Sequence, residues 1–164
     1  MHQKGHIGAS LAVYAPFGFL VTALSSLEGG VIGAVAVASM AMIPDLDMRV
    51  PLVKHRGITH TVWFAVAVGA LFGVVGAVAG FQESVAAAAL FGVLAFGFGM
   101  LTIVSHLVAD ALTPMGIEPF APLRDDHFTL DLFKAANPIA NYALLALGGL
   151  TAAVALVAGE AIPL

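Results

Sequence analysis

The hydrophobic residues of this chain form five long apolar stretches separated by short polar breaks. Within each stretch the apolar positions are continuous rather than alternating with a period of two, which favours helices over the strands of a membrane barrel. A helix needs about 20 apolar residues to cross the hydrocarbon of a bilayer. The stretches run approximately over Ile7–Leu27, Gly30–Ile43, Thr61–Phe81, Val85–Leu107 and Ile139–Ala158. The pattern predicts an all-α membrane bundle of about five transmembrane helices in a single integral membrane domain, residues 1–164.

The two N-terminal stretches each allow a second interpretation. The second stretch is short and ends at Pro44, as a re-entrant segment would, but counted from Leu27 it is long enough to span. The first stretch follows the basic residue Lys4, as a secretory signal would. No cleavage-type ending follows it before Ser25, so we interpret it as a retained anchor.

Composition and charge agree with a multi-pass protein of the cell membrane. Hydrophobic residues make up 60% of the chain and charged residues only 10%, and the net charge is -4. With five spans, every lysine and arginine falls on one side, namely Lys4, Arg49, Lys54, Arg56, Arg124 and Lys134. The positive-inside rule makes that side cytoplasmic, so the N-terminus is predicted to be inside. These six residues form no basic stripe, which argues against nucleic-acid binding.

The residues that can do chemistry lie on or near this same side. The chain has no cysteine, so a metal ion would need imidazole, carboxylate, backbone or water ligands. Loops collect polar residues, which explains part of this distribution but not the residues within helices. The histidines and aspartates concerned are His2, His6, His55, His60, His106 and His127, with Asp45, Asp47, Asp110, Asp125, Asp126 and Asp131.

The strongest pair is His106 and Asp110, at the end of the fourth stretch. Four residues apart, they share one face of a helix and can bind one metal ion or two adjacent ions. Ionisable residues in an apolar segment are costly and usually functional. The alternative is a histidine–aspartate hydrogen bond that holds helices together, and the pair alone favours neither.

A second group precedes the third stretch. Gly57 suggests a turn that folds His55 back toward His60, with Thr59 near the N-cap and His60 in the first helical turn. The alternative is a polar entry loop in which His55 and Arg56 meet lipid head groups.

A third group follows Pro44. Asp45 and Asp47 can point to one side if the backbone is extended there, as in short Asp-x-Asp turns that ligate cations. The alternative, better supported by this motif alone, is a helix-terminating turn. His6 adds an imidazole at the start of the first helix.

In order, these motifs resemble the YdjM-like family of inner-membrane proteins, inferred to be metal-dependent hydrolases, some under LexA control. The resemblance covers roughly residues 1–122, and as an ordered set the motifs are specific. They are His6, then Pro44-Asp45-Leu46-Asp47, then His55-Arg56-Gly57-Ile58-Thr59-His60, then Ser105-His106-Leu107-Val108-Ala109-Asp110-Ala111-Leu112-Thr113-Pro114-Met115-Gly116. Family members often carry histidine directly after Asp-x-Asp, where this chain has Met48.

The resemblance implies a ligand set and an activity. The family is distantly similar to zinc-dependent phospholipase C and P1-type nucleases, which use histidine/aspartate multi-zinc sites on phosphoesters. The implied metal ligands are His6, Asp45, His55, His60, His106 and Asp110. Zinc is the expected ion, and manganese or iron is possible because mixed nitrogen and oxygen ligands do not select sharply.

The function we expect is metal-dependent hydrolysis, at the cytoplasmic face, of a phosphoester on a lipid or amphiphile. Asp45, Asp47 and Asp110 are the candidate catalytic carboxylates, as bridging ligands or bases. Arg56 and Arg124 are the candidates that hold an anionic head group.

Two other functions remain open. One is a non-enzymatic metal-binding scaffold or regulator that binds a cytosolic protein through the 112–138 loop. The other, less favoured because no ionisable residue lies between the cytoplasmic group and the outer glutamates, is a metal or proton transporter. Membrane lipid is the expected environment. Oligomerisation is possible through glycine pairs such as Gly69/Gly73 and Gly76/Gly80.

Overall fold

The computed structural model describes residues 1–162, which form five α-helices joined by short connections and one longer loop. The helices are α1 (Gln3–Leu24), α2 (Leu27–Met40), α3 (Val62–Phe81), α4 (Val85–Ala111) and α5 (Pro138–Glu160). Two 3₁₀ segments, Pro44–Arg49 and Ile58–His60, lie between α2 and α3. All five helices, with α2 counted on to Arg49, are long and apolar enough to cross a membrane. The predicted all-α fold with five candidate spans is therefore confirmed.

Polar side chains at the N-termini determine where four of the helices begin. The side chains of Ser26, Thr61, Ser84 and Asn137 each accept a hydrogen bond from a backbone N–H in the first turn of α2, α3, α4 and α5. Such caps satisfy N–H groups that have no partner inside the helix.

The outward helix faces are apolar. Leu71, Val75 and Val78 on α3 are each more than 60% exposed. A helix that is hydrophobic all round is typical of a protein core or a membrane span. Because these side chains face outward, the surface suits lipid rather than water.

Glycines allow the helices to approach closely in two pairs, α1 with α5 and α3 with α4. A Cβ added at Gly148 of α5 would overlap the carbonyl group of Gly8 on α1. Gly69 and Gly76 of α3 lie similarly against backbone carbonyls of α4. Small residues at such contacts let helix backbones pack together in lipid. The α3 glycines pack against α4 of the same chain. Oligomerisation through them stays a prediction.

The connection between α4 and α5 folds back over the end of α4. The backbone N–H of Leu130 donates to the carbonyl of Ala111 at 2.7 Å, and that of Leu132 donates to Leu112 at 3.0 Å. These bonds satisfy carbonyls that the end of a helix leaves free. The Val62 N–H at the start of α3 also donates to Pro119 of this connection, at 2.9 Å. The connection therefore lies beside both the C-terminal end of α4 and the N-terminal end of α3.

Candidate metal centre

Four buried side chains converge at the end of the bundle where α4 ends and α3 begins, and their nearest ligand atoms form a compact group. They come from three segments: Asp45 from the first 3₁₀ segment, His60 from the second, and His106 and Asp110 from α4. His106 and Asp110 are one helical turn apart, so both point to the same side of α4. Together these four residues can hold a metal ion.

The distances within this group are uniform. His106 Nε2 lies 3.1 Å from His60 Nε2, 3.4 Å from Asp45 Oδ1 and 3.6 Å from Asp110 Oδ2. His60 Nε2 lies 3.3 Å from Asp45 Oδ1 and 3.5 Å from Asp110 Oδ2. In a tetrahedral zinc site with bonds of about 2.0–2.1 Å, ligand atoms are about 3.3 Å apart. These five separations are therefore close to those between ligand atoms around one zinc ion.

The hydrogen bonds of the two histidines leave both Nε2 atoms free to bind a metal ion. His106 Nδ1 lies 2.7 Å from the Ala41 carbonyl, which can only accept, so Nδ1 carries the proton. The Thr59 hydroxyl donates to Asp47 at 2.6 Å, so it accepts from His60 Nδ1 at 3.0 Å. When both imidazoles are neutral, the free lone pair of each ring lies on its own Nε2 and faces the two carboxylates.

Asp110 is a ligand candidate rather than a partner that merely orients His106. Its Oδ2 is buried and has no hydrogen-bond partner among residues 1–162. The 3.6 Å separation from His106 Nε2 is too long for a hydrogen bond. The hydrogen bond that we considered as an alternative from the sequence is therefore not formed. A buried carboxylate oxygen without a donor is instead suited to a cation.

Asp47 and Asp45 point to different partners, which corrects one expectation from the sequence. The backbone of Pro44–Arg49 is a 3₁₀ helix rather than extended, so the two carboxylates do not share one side. Asp47 belongs to a second group, with His55 and His60, that can also hold a metal ion. However, Asp47 already accepts from Thr59, from His55 Nδ1 at 2.9 Å and from the Arg56 N–H at 3.2 Å. The Asp45 group therefore has the freer ligand atoms.

His6 lies next to the four-residue group. Its ring stacks on the His106 ring with centroids 3.7 Å apart. Its Nε2 is 3.5 Å from Asp110 Oδ1 and 3.8 Å from Asp45 Oδ2, which are the second oxygens of the two carboxylates. The same Nε2 lies 3.1 Å from the Met1 carbonyl. His6 is thus beside the candidate centre but outside the set of four converging atoms.

The two arginines predicted to bind a head group occupy different environments. Arg56 is largely buried and donates to Asp110 Oδ1 at 2.7 Å and to the Gly116 carbonyl at 2.8 Å. Arg124 is 68% exposed and forms an ion pair with Asp126 at 2.6 Å. Substrate binding by either arginine stays a prediction. The contacts of Arg56 show that its guanidinium group holds one oxygen of Asp110 in place.

The start of α3 also differs from the sequence interpretation. Thr61, rather than Thr59, caps the helix, and His60 lies in the 3₁₀ segment before it. The turn at Gly57 is present, and it brings the His55 ring within 5.3 Å of the His60 ring. Thr59 is thereby free to bridge His60 and Asp47. The position of Thr59 next to His60 is the only feature of the sequence that indicates this bridging role. Nothing in the sequence indicates that the Ala41 carbonyl contacts His106.

A cavity of about 490 Å³ adjoins the four-residue group, with Asp45 in its wall. It lies between the N-terminal ends of α1 and α5 and the first 3₁₀ segment, and Lys4, Met48 and Tyr142 also line it. Asp45 is the one member of the four that reaches this lining in the described part of the chain. The cavity is therefore the approach to the group from outside the bundle.

Comparison with known proteins identifies one family. The family model described as YdjM inner membrane protein matches residues 1–162. No curated protein and no solved structure matches the chain. The family description and the five candidate spans agree on a multi-pass protein of the inner membrane.

Proposed function

Since this chain belongs to the YdjM inner membrane protein family, we propose that it is a membrane-embedded, metal-dependent hydrolase. Its substrate is a phosphoester of a lipid or another amphiphile, and its site faces the cytoplasm. The orientation rests on the lysines and arginines, which lie on one side of the five-span arrangement. The ion is zinc or another divalent transition metal.

The observation that carries this proposal is the convergence of two carboxylate oxygens with the Nε2 atoms of two imidazole rings whose Nδ1 atoms are hydrogen-bonded elsewhere. Both Nε2 atoms lie within 3.3–3.6 Å of Asp45 Oδ1 and Asp110 Oδ2. Two histidines and two carboxylates form a mixed nitrogen and oxygen ligand set that suits zinc, manganese or iron. A zinc ion held there would act as a Lewis acid toward a phosphoryl oxygen and lower the pKa of water.

Other contacts of the chain orient the candidate ligands, and one carboxylate is placed to transfer a proton. Thr59, Asp47 and the Ala41 carbonyl fix the two imidazole rings, and such outer partners commonly orient metal-binding histidines. Arg56 holds Asp110 through Oδ1, which leaves Oδ2 directed at the group. Four protein ligands would close a tetrahedral zinc site, so turnover would require Asp45 to give up its place to water. Because Asp45 borders the cavity, we assign it the general base that then accepts a proton from that water.

Hydrolysis by purified protein in detergent tests this proposal. The substrates are short-chain phosphatidic acid, phosphatidylglycerol and phosphatidylcholine, assayed with chelator, without it, and with zinc restored. We expect a chelator-sensitive activity on at least one phosphoester. Asp45→Asn should lower it by about 10²–10⁴-fold, the usual contribution of a general base. Asp131→Asn, which alters an exposed carboxylate in the connection between α4 and α5, is the matched control and should retain full activity.

Two outcomes would contradict the proposal. An activity that Asp45→Asn retains in full would remove the assigned base. Full metal loading without hydrolysis of any phosphoester would favour the scaffold or regulator, whose metal is structural. The burial of the group inside the bundle would suit that second function equally well.

A further inference from the structure

The cavity beside Asp45 has features that the metal group alone does not explain. Its walls are largely apolar and include Met42, Met48 and Pro138. Lys4 is the only lysine or arginine among the described residues that line it. A volume of about 490 Å³ lies within the range of small-molecule sites. Met1, whose N-terminal ammonium group pairs with Asp110, and His2 also line it. A largely apolar pocket with an exposed lysine at its edge is suited to an amphiphile with a negative head group.

The Lys4 ammonium group is held in place at this cavity. It donates a hydrogen bond to the Tyr142 hydroxyl and lies 3.9 Å from the centre of the Tyr142 ring. An ammonium group has three donors, and Tyr142 takes one of them. Lys4 therefore keeps donors for an anion while its contact with Tyr142 joins α1 to α5.

We propose that this cavity binds the anionic phosphate head group of a membrane lipid, with Lys4 contacting the phosphate and Tyr142 positioning Lys4. The apolar walls then contact the start of the acyl chains. This inference rests on the proposed function for its substrate class, because it places that substrate between Lys4 and Asp45. Binding alone, however, needs no hydrolysis and can be measured separately.

The positions of Lys4 and Tyr142 near helix ends suit contact with a lipid head group. Lys4 is the fourth residue of the chain, in the first turn of α1, and Tyr142 lies in the second turn of α5. Both are thus at helix ends, where lysine and tyrosine commonly meet the bilayer interface. A lipid head group bound beside Lys4 would therefore lie at the level expected for the bilayer interface.

Equilibrium binding to the full-length, metal-loaded protein tests the inference. The probes are dioctanoyl phosphatidate, dioctanoyl phosphatidylcholine and, as a soluble phosphate, glycerol phosphate. We expect phosphatidate to bind at least tenfold more tightly than either of the others. Lys4→Gln should weaken phosphatidate binding about tenfold, as loss of a charged hydrogen bond does, and Lys4→Arg should restore most of it. Lys134→Gln, which removes a lysine outside this cavity, is the matched control.

A second variant tests the apolar part of the cavity. Ala136→Trp adds a large side chain to the lining and should abolish phosphatidate binding while metal content is unchanged. Tyr142→Phe should weaken binding less than Lys4→Gln, because it frees the ammonium group without removing it.

Each contrary result would overturn a different part of the proposal. Equal affinity for phosphatidate and phosphatidylcholine, or equal effects of Lys4→Gln and Lys134→Gln, would remove Lys4 as the phosphate contact. Glycerol phosphate binding as tightly as phosphatidate would replace the lipid by a soluble phosphate. Selective lipid binding without any hydrolysis would leave this site standing and refute the hydrolase. Hydrolysis by Lys4→Gln with unchanged substrate binding would refute Lys4 as the phosphate contact and leave the hydrolase standing.

Discussion

The Nε2 atoms of His60 and His106 face each other at 3.1 Å, although the two residues are 46 positions apart in the chain. The other nitrogen of each ring is oriented by a different partner, Thr59 for His60 and the Ala41 carbonyl for His106. Two lone pairs that face each other repel unless a proton or a cation lies between them. With two carboxylate oxygens beside them, a divalent cation compensates all four groups at once.

Loss of the Thr59 hydroxyl tests the outer contacts of His60. Thr59→Val keeps the shape of the side chain but removes the hydroxyl that bridges His60 Nδ1 and Asp47, which leaves only their direct approach at 3.4 Å. We expect metal affinity to fall about 10–100-fold, the usual effect of removing an outer partner of a ligand. Competition with a zinc-binding dye measures it. Thr151→Val, which removes a hydroxyl bound within α5, is the control. Equal affinities in the two variants would exclude Thr59 from this role.

Metal removal should also lower the thermal stability of the protein. Asp45 and Asp110 are both buried, and without a cation their charges are compensated only by protein groups. A ligand that binds only the folded state stabilises it by mass action. We therefore expect chelator to lower the unfolding temperature in detergent and added zinc to restore it. An unfolding temperature that does not change with chelator would argue against a bound ion in the folded protein.

The close contact between α1 and α5 predicts unequal effects at two adjacent glycines. A Cβ at Gly148 would overlap the Gly8 carbonyl, whereas one at Gly149 would meet nothing within 4 Å. Gly148→Val should therefore destabilise the protein by about 1–3 kcal/mol, as overpacking does. Gly149→Val is the matched control and should have little effect. Thermal unfolding measures both, and similar losses at the two positions would refute this helix contact.

We predict the membrane orientation from the one-sided distribution of lysine and arginine. Because the chain has no cysteine, single cysteines can be introduced without a background. Cysteine at Arg124 should react with an impermeant thiol reagent only from the cytoplasm, and cysteine at Glu83 only from outside. Labelling of both positions from the same side would contradict the five-span arrangement.

The spans and all four residues of the candidate metal centre could be predicted from the sequence. Continuous apolar runs are interpretable because length and hydropathy alone decide whether a helix can cross a bilayer. His106 and Asp110 were identifiable because helical spacing determines which residues share a face. Asp45 and His60 were selected as polar residues at helix ends, and the structure brings both to this pair.

The separation of Asp45 from Asp47 could not be predicted from the sequence. Pro44–Arg49 is a 3₁₀ helix that contacts the second 3₁₀ segment, and a contact between separate segments is not visible in the local sequence. The Ala41 contact uses a backbone carbonyl, which carries no side-chain signal. Lys4 and Tyr142 are 138 residues apart and meet only because α1 packs on α5.

Metal content of the purified protein tests the central claim, that the buried histidine and aspartate group binds an ion. Elemental analysis should find at least one transition-metal ion, zinc above all, per chain of wild-type protein. His60→Ala and His106→Ala should each lose most of it, because each removes one of four ligands. His127→Ala, which changes an exposed histidine outside the group, should retain the wild-type content. Unchanged metal content in both His60→Ala and His106→Ala, or metal-free wild-type protein after growth and purification with zinc, would contradict the account.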